Sequence, residues 1–122
     1  MAIRFDIGKD EFFFIGEDTV ITIDVVADDG VTPQNMAGWS LAWELKPLPS
    51  TAVASANISK TVGSGITIGD GSATDDRATI TIDDDDTEGL DAGVYYHQLR
   101  RTDAGAEVIL TVGDALLRAS GL

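Results

Sequence analysis

Cysteine is absent from this chain of 122 residues, and basic residues are scarce, with 8 Lys and Arg against 21 Asp and Glu. Without cysteine the chain has neither a disulfide nor a thiolate metal site, so burial and backbone pairing must supply its stability. The formal net charge of −13 opposes phosphate groups, which makes nucleic acids and anionic membrane surfaces poor partners. No run approaches the roughly 20 apolar residues of a transmembrane helix, and the N-terminus lacks the apolar core of a signal peptide. We therefore expect a protein that is made and folded in a cytosol.

Catalytic and cofactor motifs are also lacking. The sequence has no thiol nucleophile, no glycine-rich phosphate loop with its lysine, and no pair of histidines at metal-ligand spacing. The one histidine, His97, lies between Tyr95 and Leu99 in an alternating stretch, which favours a core histidine over a general base. We expect neither enzyme activity nor a bound cofactor.

What the chain does contain is short apolar runs punctuated by glycine. Its 13 glycines, together with frequent Thr, Val and Ile, favour strands joined by tight turns. The length and the 43% hydrophobic content suit one cored domain. We predict an all-β, antiparallel protein of seven to nine strands, with residues 1–10 as an N-terminal arm or edge strand and residues 11–122 as a single domain.

Period-two alternation marks the individual strands. The clearest alternations lie at residues 19–27, 77–83 and 93–100. Trp39 and Trp43 share a face with Leu41 and Leu45, so we expect both indoles in the core rather than on a sugar-stacking surface. Near the end of the chain, Gly113 and Asp114 predict a bulge or kink in the last strand.

Two phenylalanines are candidate partner contacts. Phe5 belongs to the N-terminal arm, which packs either on its own chain or on a neighbour. If Phe12 and Phe14 face inward from the next segment, alternation turns Phe13 outward. Both side chains could then contact another subunit, although a single exposed phenylalanine is also common on ordinary surfaces.

Acidic residues concentrate before the last pair of strands. Nine of the 21 carboxylates fall between Asp70 and Asp91. The run from Asp84 to Gly89 matches the first half of an EF-hand loop, but Tyr95 occupies the position of the essential glutamate. A calcium site formed by Asp83, Asp84, Asp86 and Glu88 is therefore the lesser alternative to a solvated acidic edge.

The stretch from Leu90 to Leu99 carries the pattern Asp91-x-Gly93-x-Tyr95, which predicts a tight corner entering a central strand. It resembles the corner of immunoglobulin-type sandwiches. The resemblance implies that the Tyr95 hydroxyl ties the incoming loop to the sheet and that His97 packs inward against an aromatic on the third strand. Asp91, Gly93, Tyr95 and His97 together form this predicted structural corner.

Further motifs extend the resemblance across the chain: Phe14-x-Gly16-x-Asp18, Met36-Ala37-Gly38-Trp39, Glu44-Leu45-Lys46, Asp103-x-Gly105 and an internal Gly113. From about Phe12 to Arg118 the chain resembles the Ig-like β-sandwich at the N-terminus of upper-baseplate proteins of tailed phages and in small virion proteins. The resemblance implies a non-enzymatic structural role in a virion, through contacts with other virion proteins and oligomeric within the particle, after folding in the host cytoplasm. Because the chain stops at Leu122, a capsid-decorating or adaptor role is as open as a baseplate or tail role.

A second class of function stays open at this point. A carbohydrate-binding or calcium-stabilised adhesion module would use Trp39 or Trp43 together with the acidic loops. Exposure of either indole distinguishes this hypothesis from the structural one.

Overall fold

A computed structural model describes residues 3–8, 13–69 and 75–119 of the protein. These residues form the following strands: β1 (Ile3–Arg4), β2 (Thr19–Asp24), β3 (Leu41–Lys46), β4 (Ile58–Val62), β5 (Gly65–Ile68), β6 (Arg77–Ile82), β7 (Gly93–Arg101) and β8 (Val108–Leu117). One short helix, α1 (Asp84–Glu88), and a 3-10 turn at Val53–Ser55 complete the described elements. The all-β prediction is confirmed.

The eight strands join into one curled sheet in the order β1-β8-β7-β3-β4-β5-β6-β2. Most neighbours are antiparallel, but β1 pairs with β8 and β4 pairs with β5 in parallel, so the expected purely antiparallel arrangement is wrong. The β4–β5 pairing is short, with only Thr61 opposite Gly65 and Val62 opposite Ile66. This narrow seam connects a five-stranded part, β1-β8-β7-β3-β4, to a three-stranded part, β5-β6-β2.

One hydrophobic cluster lies inside the curl and draws on both parts of the sheet. Its members include Ile21 and Ile23 of β2, Ile80 and Ile82 of β6, Trp43 and Leu45 of β3, and Leu99 of β7. Trp43 is fully buried, and Trp39 is partly buried against the cluster. The alternation in β2 and β6 and the burial of Trp43 are as the sequence predicts, whereas Trp39 is only partly buried.

Strand β3 is buried on both faces, which alternation did not predict. The outer-face residues Glu44 and Lys46 are only 1% and 5% exposed. The Glu44 carboxylate accepts hydrogen bonds from Gln98 Nε2 at 2.9 Å and Arg100 Nε at 2.9 Å. A buried charge is costly unless it is paired, and these two donors offset the cost of burying the Glu44 carboxylate.

The N-terminal arm, defined here as residues 3–8, lies along the edge of β8 in its own chain. Phe5 N donates to Val112 O and Ile7 N donates to Asp114 O, both at 2.8 Å, and Leu116 N donates to Ile7 O at 2.8 Å. Gly113 is not a kink, because β8 runs through it, and the register irregularity lies opposite Leu99 and Arg100 instead. Gly113 is the point where the arm crosses closest to β8.

Helix α1 occupies the acidic stretch before β7, where no helix was expected. Asp83 is its N-cap, and Asp83 N donates to Asp86 Oδ2 at 2.9 Å in a capping box. Three aspartates in the first turn favour a helix start through their charge. No helix in the described residues is long and apolar enough to cross a membrane.

Candidate functional site

The predicted corner forms at the start of β7. The Tyr95 hydroxyl donates a hydrogen bond of 2.7 Å to the backbone carbonyl of Asp91, four residues upstream. Partial burial and the nearby Asp91 carboxylate raise the pKa of Tyr95, so its phenol stays protonated and remains a donor at neutral pH. This bond fastens the loop that follows α1 to the first residues of β7.

His97, two residues further along β7, is fully buried beside Trp43. The Trp43 indole Nε1–H donates to His97 Nδ1 at 3.2 Å, and the ring centroids are 6.1 Å apart. On its other side, His97 Nε2 is hydrogen-bonded to the backbone carbonyl of Phe5 in the arm. Because Nδ1 accepts a hydrogen bond from the indole N–H, the imidazole is the neutral tautomer with its proton on Nε2.

The surroundings of His97 favour its neutral form. Burial lowers the pKa of His97 below the ordinary 6.5 and outweighs the opposing effects of the Phe5 carbonyl, Asp6 and Asp114. A ring that is sealed from solvent and bonded at both nitrogens cannot exchange a proton with a substrate at the surface. His97 is therefore a structural link between the third strand, the corner strand and the arm.

The acidic residues around α1 are engaged in structural contacts. Asp86 Oδ2 accepts from Lys60 Nζ at 2.7 Å as well as from Asp83 N. Partial burial acts to raise the pKa of Asp86, but the bonds from Lys60 and Asp83 N lower it overall. Asp84 N donates to Asp18 Oδ1 at 2.9 Å, which joins the start of the helix to the loop before β2.

The predicted calcium ligands are brought together only in part. Carboxylate oxygens of Asp83, Asp85 and Asp86 lie within 4.8 Å of one another, whereas Asp84 and Glu88 do not belong to this group. Within the group, Asp86 already holds an ammonium and a backbone N–H, as described above. The arrangement of Asp83 and Asp86 is that of a capped helix start.

Of the two phenylalanines considered as partner contacts, Phe13 differs from its prediction, whereas Phe5 packs on its own chain, one of the two alternatives given for the arm. Phe13 is fully buried, so the expectation that it faces outward is wrong. Its segment is bridged at Phe14 to Arg118, the residue after β8, and Phe14 is only partly buried. The phase of the segment is therefore opposite to the one expected. Phe5 is half-buried, with its ring edge-on to His97, and Phe12 lies outside the described residues.

Trp39 borders a cleft of about 540 Å³ between the turn before β3 and the β4–β5 seam. Its apolar lining includes Val62, Ile66 and Ile68, and Asp75 contributes a carboxylate. The Arg101 guanidinium stacks over the Trp39 ring at 3.9 Å, so one face of the indole is covered. Trp43 has no access to this cleft because it is fully buried.

Two polar contacts that shape the molecule were missed at the sequence level: the Glu44–Arg100 pair with Gln98, and the Lys60–Asp86 pair. The first depends on the register between β3 and β7, and the second on the packing of α1 against β4, and neither can be found from local sequence. The one sequence signal for the first contact is the charge of Glu44 between the apolar residues Trp43 and Leu45. A comparison of the chain with models of known protein families and with the sequences of curated proteins gives no match.

Proposed function

We propose that this chain is an Ig-like β-sandwich that serves as a non-enzymatic structural module of a tailed-phage particle. In this proposal the five-stranded and three-stranded parts of the curled sheet are the two layers, and the β4–β5 seam is their link. The short seam supports this view, since two residue pairs join the layers while six connect β3 to β7. A single core filled from both parts is the packing expected between two layers.

The corner supplies the observation that carries the proposal. In Ig-type sandwiches a tyrosine at the start of the corner strand bonds back to the chain a few residues upstream, and the residue two positions later packs on an aromatic of the third strand. Tyr95 with Asp91, and His97 with Trp43, have that geometry. The corner is also one of the motifs on which the sequence resemblance to Ig-like virion proteins rests.

The use of His97 supports a structural rather than a catalytic role. The one imidazole of the chain, His97, holds three segments together through its two hydrogen bonds. In the acidic cluster, Asp83 and Asp86 cap the start of α1. Function then depends on surfaces, and a net charge of −13 favours protein partners with basic patches over nucleic acid or anionic lipid. Within a particle these partners are other virion proteins.

Quantitative mass spectrometry of purified particles tests the proposal. Particles from the cells that make this chain are banded twice by density, and peptides of the chain are counted against the major capsid protein. The proposal expects a fixed ratio to the capsid protein through both purifications. A ratio that falls between the first and second band, as for a cytosolic contaminant measured in the same samples, contradicts it.

Tryptophan fluorescence distinguishes the sugar-binding alternative from the structural proposal, because the two indoles differ in exposure. Only Trp39 borders a cleft, so a bound sugar would change the emission of Trp39 and leave buried Trp43 unaffected. The structural proposal expects no saturable change in fluorescence on addition of simple sugars. A saturable change that disappears in Trp39→Phe would favour the adhesion module instead.

A further inference from the structure

The arm and the corner strand meet at His97. In the β7–β8 pairing His97 lies opposite Gly113, and the arm crosses at this glycine. A Cβ on residue 113 would lie 2.7 Å from the Phe5 carbonyl carbon and would collide with its oxygen, so the close approach needs glycine. The Phe5 ring stands edge-on to the imidazole, with centroids 6.3 Å apart. The arm therefore covers His97 from the edge of the sheet.

The two bonds of His97 respond differently to a proton. Nε2–H donates to the Phe5 carbonyl in both charge states, but Nδ1 accepts from the Trp43 indole only while it carries no proton. Protonation of Nδ1 would place two N–H groups against each other inside the core. An imidazolium formed there loses one hydrogen bond and is cut off from water.

We propose that protonation of His97 releases the N-terminal arm from β8 while the rest of the sheet stays paired. Trp43 cannot easily move away from His97, because its strand β3 is paired on both sides, with β4 and with β7. The arm lies at the sheet edge, where the three backbone bonds given above and the His97 contact hold it. Further contacts to the arm are the Arg4–Asp114 ion pair, the bond from Asp114 N to Asp6 Oδ1, the bond from Arg118 to the Gly8 carbonyl, and the burial of Ile7. Opening the arm gives the imidazolium access to water and breaks fewer backbone bonds than displacing β3 would.

Three charged groups act on His97, two of them on the arm and one on β8. Asp6 of the arm and Asp114 of β8 attract a proton on the ring, and Arg4 of the arm repels it. Arg4 is paired with Asp6 at 3.0 Å and with Asp114 at 3.1 Å, all three near the surface at the same edge. The facing element β3 contributes the neutral Trp43. When the arm opens, Asp114 stays on β8 near the imidazolium, whereas Asp6 and Arg4 move away with the arm.

The sign of the pH effect follows from burial. The pKa of His97 is lowered in the folded chain, so the unfolded chain binds the proton more tightly. The stabilisation from neutral His97 is complete above the ordinary pKa of about 6.5 and is lost as the pH falls below it toward the lowered folded value. Arm opening is expected within that interval.

Amide hydrogen exchange of the full chain at about pH 7.5 and about pH 5 tests the proposal. After correction for intrinsic exchange rates, the protection of the Phe5, Ile7 and Leu116 amides should fall about tenfold or more at the lower pH. Amides of β6 should keep their protection. Parallel loss in the arm and in β6 would mean whole-chain unfolding and would overturn the proposal.

His97→Gln is the matched variant, because a glutamine amide can accept from Trp43 and donate to Phe5 without titrating in this range. Its arm amides should show no loss of protection between the two pH values. If the arm amides of the variant lost as much protection at about pH 5 as those of the parent, the effect would come from titration of carboxylates rather than of His97, and the proposal would be contradicted.

Nitrogen NMR of the one imidazole gives a readout that does not depend on the variant. The ring should be the Nε2–H tautomer at neutral pH, and its change of charge should coincide with the loss of arm protection. A ring that titrates while the arm stays protected would overturn the proposal.

Discussion

The Tyr95 hydroxyl donates a 2.7 Å hydrogen bond to the backbone carbonyl of Asp91, and this bond closes the corner through which the chain enters β7. Tyr95→Phe removes the donor and keeps the ring. We expect a loss of about 1 kcal/mol in the free energy of unfolding, the usual net value of one such bond. Urea denaturation measures it, with Tyr96→Phe as the control because Tyr96 points to the opposite face. Equal losses for the two variants would contradict the role given to the corner.

A second prediction concerns the buried carboxylate of Glu44. Glu44→Gln keeps the shape but removes the charge that faces Arg100, and we expect a loss of about 2 kcal/mol, since bonds between charged groups are worth more than neutral ones. Asp24→Asn makes the same chemical change in the exposed Arg77–Asp24 pair and should cost under about 1 kcal/mol. Denaturation of the two variants side by side gives the comparison. A larger loss for Asp24→Asn would show that Glu44 does not depend on its partners.

Two buried threonines should respond in opposite directions to the same substitution. Among the described residues, Thr111 Oγ1 has no hydrogen-bond partner, so Thr111→Val should stabilise the chain by about 1 kcal/mol. Thr87 Oγ1 accepts a hydrogen bond from Gly16 N at 2.8 Å. Thr87→Val leaves that N–H without an acceptor and should lower the free energy of unfolding by about 1 to 2 kcal/mol. Thermal unfolding of both variants gives the sign directly. Destabilisation by Thr111→Val would mean that its hydroxyl is satisfied in solution.

The close approach of the arm at Gly113 yields a fourth prediction. Gly113→Ala should displace the arm, lower stability by about 2 kcal/mol and speed tryptic cleavage after Arg4. Gly89→Ala is the control, since a Cβ there meets nothing within 4 Å and the backbone has an ordinary φ of −87°. Unchanged cleavage in Gly113→Ala would place the arm elsewhere in solution.

Local patterns predicted the strands and most of the core, because period-two alternation reports directly on burial of one face. They could not predict the burial of Glu44, which depends on donors that reach it from β7 only through the strand register. Helix α1, at five residues, is too short for helical periodicity to be detected.

The errors at Phe13 and Gly113 have one physical origin. Both positions are determined by the way the N-terminal segment runs along β8, a contact between the two ends of the chain. Phe13 is fully buried and Phe14 only partly, so the segment faces the core with the opposite phase from the one expected. Gly113 is needed for the crossing arm and not for a bend in its own strand. The corner site was predictable in its residues, whereas the link from His97 to the arm was not.

The proposed structural role in a tailed-phage particle is tested most directly by rebinding. Particles assembled without the chain are mixed with the purified protein and sedimented through a density gradient. We expect the chain to move with the particles and to saturate at a fixed number of copies per particle. A chain that stays at the top of the gradient at every concentration, while remaining folded, would contradict it.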